Sequence, residues 1–63
     1  MHYLEIYHVQ GVDTRGRIVR AQLSTTETPI RVGASFNMLD DRGYPVAECT
    51  VTHIYAIERH TLH

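Results

Sequence analysis

Apolar residues in this chain recur at every second position, and nowhere does a helical period persist for ten residues. That feature constrains the fold more than any other. It predicts an all-β chain, a small antiparallel β-barrel or strongly bent sheet of about five strands. The stretch from Pro29 to Leu39 reads as its bent central strand. Pro29 cannot donate a ladder hydrogen bond and so belongs before a strand. Ile30 and Val32 alternate with Arg31, and Gly33 then marks a bend or a close approach of backbones. Ala34, Phe36 and Met38 share one side of the following run, with Ser35 and Asn37 on the other. Phe36 is the only Phe and there is no Trp, so this run carries one of the few large apolar anchors.

The flanking runs follow the same rule. Tyr3 to Val9 alternates with Leu4 and Ile6 on the face expected inward, and Tyr3, Glu5 and Tyr7 on the face expected outward. Gln10 to Gly16 is rich in turn formers and reads as a connection. Arg17 to Leu23 turns Val19, Ala21 and Leu23 inward and Ile18, Arg20 and Gln22 outward. Ser24 to Thr28 is a polar loop, and Asp40 to Gly43 is a turn with Asp first and Gly last. Val46 to Ile57 is the longest strand candidate. Cys49 and Val51 share a face, but Ile54 comes three positions after Val51, which predicts a β-bulge near Thr52 and His53. Beyond it, Glu58 to His63 reads as a tail whose one aliphatic residue is Leu62.

The order of these pieces resembles the second domain of translation elongation factors of the Tu type, a small β-barrel. The matching pieces are Leu4 to Val9, then Arg15-Gly16-Arg17-Ile18-Val19, then Ile30-Arg31-Val32-Gly33, then Val51-Thr52-His53-Ile54. The resemblance spans about residues 4 to 57. It implies a barrel architecture and a role in contacting RNA or protein. It implies no GTP hydrolysis, because that family's nucleotide chemistry resides in a separate domain and the P-loop pattern G-x-x-x-x-G-K-[ST] does not occur here.

One internal echo carries candidate chemistry. Asp13 to Val19 and Asp40 to Val46 both fit D-x-R-G-x-x-V. Two similar turns, each with Asp accepting backbone N–H groups and Gly at positive φ, would explain it. The functional alternative is two Arg-tipped loops on one rim. There Arg15, Arg17 and Arg42 would hold a nucleotide or RNA phosphate, with Tyr44 stacking on a base. A second surface candidate is the aromatic, apolar and Arg-bearing outer face formed by Tyr3, Tyr7, Ile18 and Arg20, residue types that concentrate binding energy at interfaces.

Other candidates read as structural. His2, His8, His53, His60 and His63 lack the spacing of a zinc site and read as surface residues at strand ends. Cys49 on the apolar side of a strand reads as packing. Asp40 and Asp41 read as turn residues. No catalytic residue, metal or cofactor is therefore assigned, and an enzyme is not expected.

Charge and size point to partners. The net charge of −1 excludes a general coater of nucleic acid, which needs a basic surface. All six basic residues are Arg, the side chain best suited to forked contacts with carboxylates and phosphates. Sixty-three residues make one domain with a small core, and the single cysteine cannot form an internal disulfide. A homo-oligomer is expected, together with a protein partner that the module binds and modulates. With no signal peptide, long apolar run or lipidation motif in these residues, the expected location is cytoplasmic and not membrane-bound.

Overall fold

The structure, a computed structural model, describes residues 3–62. They form four strands and no helix: β1 Tyr3–Asp13, β2 Ile18–Thr25, β3 Ser35–Leu39 and β4 Pro45–Thr61. All neighbours are antiparallel, in the order β2-β1-β4-β3. The sheet curls into a half-barrel, with β2 and β3 as its two outer strands.

There are four strands rather than about five because Ile30 to Gly33 is loop, with a turn at Val32 and Gly33, and not strand. Gly33 adopts φ +97°, and the Ala34 amide closes back on the Arg31 carbonyl at 3.0 Å. The chain joins β4 only at Gly33 and Ala34. There Gly33 N–H donates to the Val51 carbonyl and Val51 N–H donates to the Ala34 carbonyl, both at 2.8 Å. Ile30 keeps its apolar role without being in a strand: it packs on the core from the 26–34 loop.

The longest ladder joins β1 and β4, from Tyr3 opposite Thr61 to Asp13 opposite Cys49. Two residues of β4, Thr52 and Tyr55, have no partner across it. The first is the bulge expected from the Val51-to-Ile54 spacing. It resets the alternation so that both side chains reach the core. Each bulge adds local twist and bend, which is how a sheet of this size curls. The segment expected to be a tail is also strand: residues 58–61 continue β4 because β1 supplies partners as far as Tyr3.

The core lies on the inner face, around Tyr7, Val9 and Val51, with Leu23, Phe36 and Ile54 packed against them. This reverses the expected orientation of Tyr7, which is 3 % exposed. The buried positions of β1 are Tyr7, Val9, Gly11 and Asp13, so the strand's second half sets the parity. Leu4 and Ile6 occupy the other face, half-buried. Gly11 is the reason Phe36 can enter. A Cβ at Gly11 would sit 2.8 Å from two ring carbons of Phe36 and 2.9 Å from the Thr50 carbonyl oxygen. On β2 the expected faces hold: Val19, Ala21 and Leu23 are half-buried, and Ile18, Arg20 and Gln22 are exposed.

Candidate functional site

The two D-x-R-G segments form the same turn. At the first, Asp13 Oδ1 accepts the Arg15 and Arg17 amides, both at 2.9 Å, and the Gly16 amide donates to the Asp13 carbonyl at 3.0 Å. At the second, Asp40 Oδ1 accepts the Arg42 and Tyr44 amides at 2.9 and 3.0 Å, and the Gly43 amide donates to the Asp40 carbonyl at 3.0 Å. Gly16 and Gly43 take φ +82° and +84°, a region where an L side chain is strained. The repeat is thus accounted for by turn chemistry, whatever else the loops do.

The two turns differ in their fifth residue. Arg17 Nε donates to Asp13 Oδ2 at 3.0 Å, whereas Tyr44 has no charge to offer Asp40. The Asp13 pKa is lowered from 3.8, first by the Arg17 amide, then by the Arg15 amide and the Arg17 guanidinium, against the opposing effect of burial. Arg17 is therefore spent on the fold. Arg15 and Arg42 form no ion pair among the described residues.

Topology puts both turns at one end of the sheet. β1 ends at Asp13 opposite Cys49, and β4 begins nearby at Pro45. A shallow pocket of about 260 Å³ lies between Arg15, Arg17, Val46 and Ala47; Arg42 and Tyr44 are outside its lining. Large apolar side chains crowd the same end. Ile18 and Val46 are 69 % and 65 % exposed, and Leu39 and Tyr44 are also exposed beside the second turn.

The proposed outer-face interface is only partly assembled. Ile18 and Arg20 are outward as expected, but Tyr7 is in the core, and Tyr3, though exposed, alternates onto the same face of β1 as Tyr7, so both leave the set. Tyr55, which sequence reasoning did not place, takes its position on that face. The Arg20 guanidinium lies 5.6 Å from its ring centroid and the His53 ring 4.5 Å away, and its hydroxyl donates to Gln10 Oε1 at 2.6 Å. The signal for it was the bulged spacing, which turns the residue after Ile54 outward. At the far end Arg59 Nη2 donates to Glu5 Oε2 at 3.1 Å, and its guanidinium carbon lies 5.4 Å from the Tyr3 ring centroid.

Among the described residues, no three His, Cys, Asp or Glu side chains are grouped to hold a metal ion. His8 Nε2 is 2.7 Å from Glu58 Oε2, while His2 and His63 lie outside the described residues. Cys49 is a buried free thiol, and Asp40 and Asp41 are exposed.

An apolar groove of about 550 Å³ lies between β2 and β3, to whose wall Ile30 and Ala34 also contribute. No family model, curated protein or solved structure matches the chain. No helix among the described residues is long and apolar enough to cross a membrane.

Proposed function

We propose that this chain is a non-catalytic binding module that self-associates and that binds and modulates a protein partner. One observation carries the reading: large apolar side chains crowd the turn end of the half-barrel beside Arg15 and Arg42, which form no ion pair among the described residues. Apolar and Arg side chains together, exposed at one place, are the composition of a protein contact. The uses found for the polar groups support the non-catalytic part. Asp13 is committed to its turn, Cys49 is enclosed, and Asp40 holds backbone amides. The resemblance to the elongation-factor barrel agrees with a role in macromolecular contact.

Two measurements test it. Light scattering should give a mass that rises above the monomer value with concentration, and the melting temperature should rise with it. Immobilised protein should capture a partner from source-cell lysate that Ile18→Glu with Val46→Glu does not capture. A monomer at every concentration, with capture unaffected by the double variant, overturns the reading.

A second reading rests on Arg15 and Arg42 lying unpaired at one end: they would hold a nucleotide or RNA phosphate. Replacing both with Gln should then abolish salt-sensitive binding and leave the melting temperature nearly unchanged. If the parent binds neither ligand at low salt, this reading fails.

A further inference from the structure

We infer that the groove between β2 and β3 receives an extended, uncharged apolar segment of a partner protein, which pairs as a fifth strand. The inference rests on the binding-module reading and specifies its partner. The groove's lining supplies the first argument. Leu23, Phe36 and Met38 point inward, yet Gln22, Ser35 and Asn37, which alternate outward, line it as well. Both parities of β2 and of β3 can border one groove only if it exposes strand edges as well as an inner face. Among the described residues those edges are unpaired: β2 bonds only to β1, and β3 only to β4.

Size fits one strand. Spread along the five residues of β3 at about 3.4 Å each, the groove's volume is a channel of about 32 Å² in cross-section. Strands spaced at about 4.8 Å within sheets about 10 Å apart need about 48 Å² each, so the groove, open along one side, is narrower than two chains require and takes one at most. Charge fits as well: no ionisable residue lines the groove, so a charged segment would lose its hydration without compensation.

Edge accounting excludes a folded second copy. A strand in this slot pairs on both sides, but each of the four strands already uses at least one of its edges within the sheet. The occupant is therefore a chain that is extended and unpaired before it binds. Main-chain bonds supply affinity, and alternate side chains select for apolar character.

The test uses the full chain, labelled with ¹⁵N, and a blocked heptapeptide of alternating Thr and Val as probe. Saturable binding is expected, with shifts and slowed amide exchange concentrated in β2 and β3. N-methylation of alternate peptide amides should weaken it about tenfold or more, because those bonds can no longer form. Leu39→Glu and Met38→Glu should weaken it similarly; Leu39 is exposed, so that variant should melt like the parent. Absence of saturable binding, or binding insensitive to N-methylation, overturns the inference. Protection mapping elsewhere, or a dimer that the peptide dissociates, overturns it too. A lysate partner captured equally by the parent and Leu39→Glu overturns the slot while leaving the binding-module reading intact.

Discussion

Gly11→Ala should destabilise the protein, although glycine in a strand interior is normally a liability. The backbone does not demand glycine here: the positive-φ glycines are Gly16, Gly33 and Gly43. Relief of unfolded-state entropy alone would stabilise the Ala variant by about 0.5–1 kcal/mol. The added methyl, however, meets two Phe36 ring carbons at 2.8 Å and the Thr50 carbonyl oxygen at 2.9 Å. The ring can swing away, but the carbonyl belongs to the neighbouring strand, so the ladder must open or the ring must leave the core. Overpacking costs about 1–3 kcal/mol, and a contact with backbone at 2.9 Å belongs in the upper half of that range, leaving a net loss of about 1–2 kcal/mol. A domain of this length holds about 3–9 kcal/mol in total. The melting temperature should therefore fall by roughly 5–15 °C. A double-mutant cycle isolates the cause. Phe36→Ala alone should cost about 3 kcal/mol, since the ring is only half-buried. In that background Gly11→Ala should lose most of its cost. A Gly11→Ala variant as stable as the parent, or additive costs in the cycle, would refute the ring-on-glycine account.

Asp13 makes stability depend on acidity. Its pKa is lowered in the fold, so its contribution is present above the unfolded value of 3.8 and lost as pH falls through the folded one. Melting temperatures taken from pH 6 down to about pH 2 should fall less steeply for Asp13→Asn than for the parent across that window. Tyr7→Glu should abolish cooperative melting by placing an unpaired carboxylate in the core, whereas Ile18→Glu, at an exposed site, should melt like the parent in circular dichroism at concentrations where the parent is monomeric.

Legibility in the sequence followed the strength of the alternation. On β2 and β3 the apolar residues mark one face, apart from Ile18 and Leu39 at the strand ends, and the inward sets were readable. The bulge at Thr52 was readable because Val51 and Ile54 are both aliphatic and three apart. β1 failed for a specific reason. Leu4 and Ile6 outrank Tyr7 in hydropathy, and the residue that fixes the true parity, Gly11, has no side chain to register. Gly11 reads as a turn former, but here its emptiness is the seat of the Phe36 ring. The last residues of β4 are polar and become strand only because β1 pairs with them, which no local signal records. The same limit applies to the site. The Asp turns were legible from spacing, but the groove arises where two consecutive strands, β2 and β3, take opposite ends of the sheet and fail to meet.

The irregularities of β4 bear on which edges remain usable. Beyond Val51, the side of β4 away from β1 has no strand beside it among the described residues, so a third unpaired edge runs along residues 52–61. An edge that long invites pairing with another chain. Thr52 and Tyr55, the bulged residues, both fall on this stretch. Bulges break the regular spacing of donors and acceptors and twist the edge away, a known defence against uncontrolled addition of strands. The ladder joining β1 and β2 shows no such break, and the one joining β3 and β4 shifts only near its turn, between Met38 and Leu39. Curling the sheet by bulging β4 thus blunts the edge that faces open solvent. It also leaves regular edges on the two strands that border the apolar groove, where an incoming chain would bury side chains as well as bond its backbone.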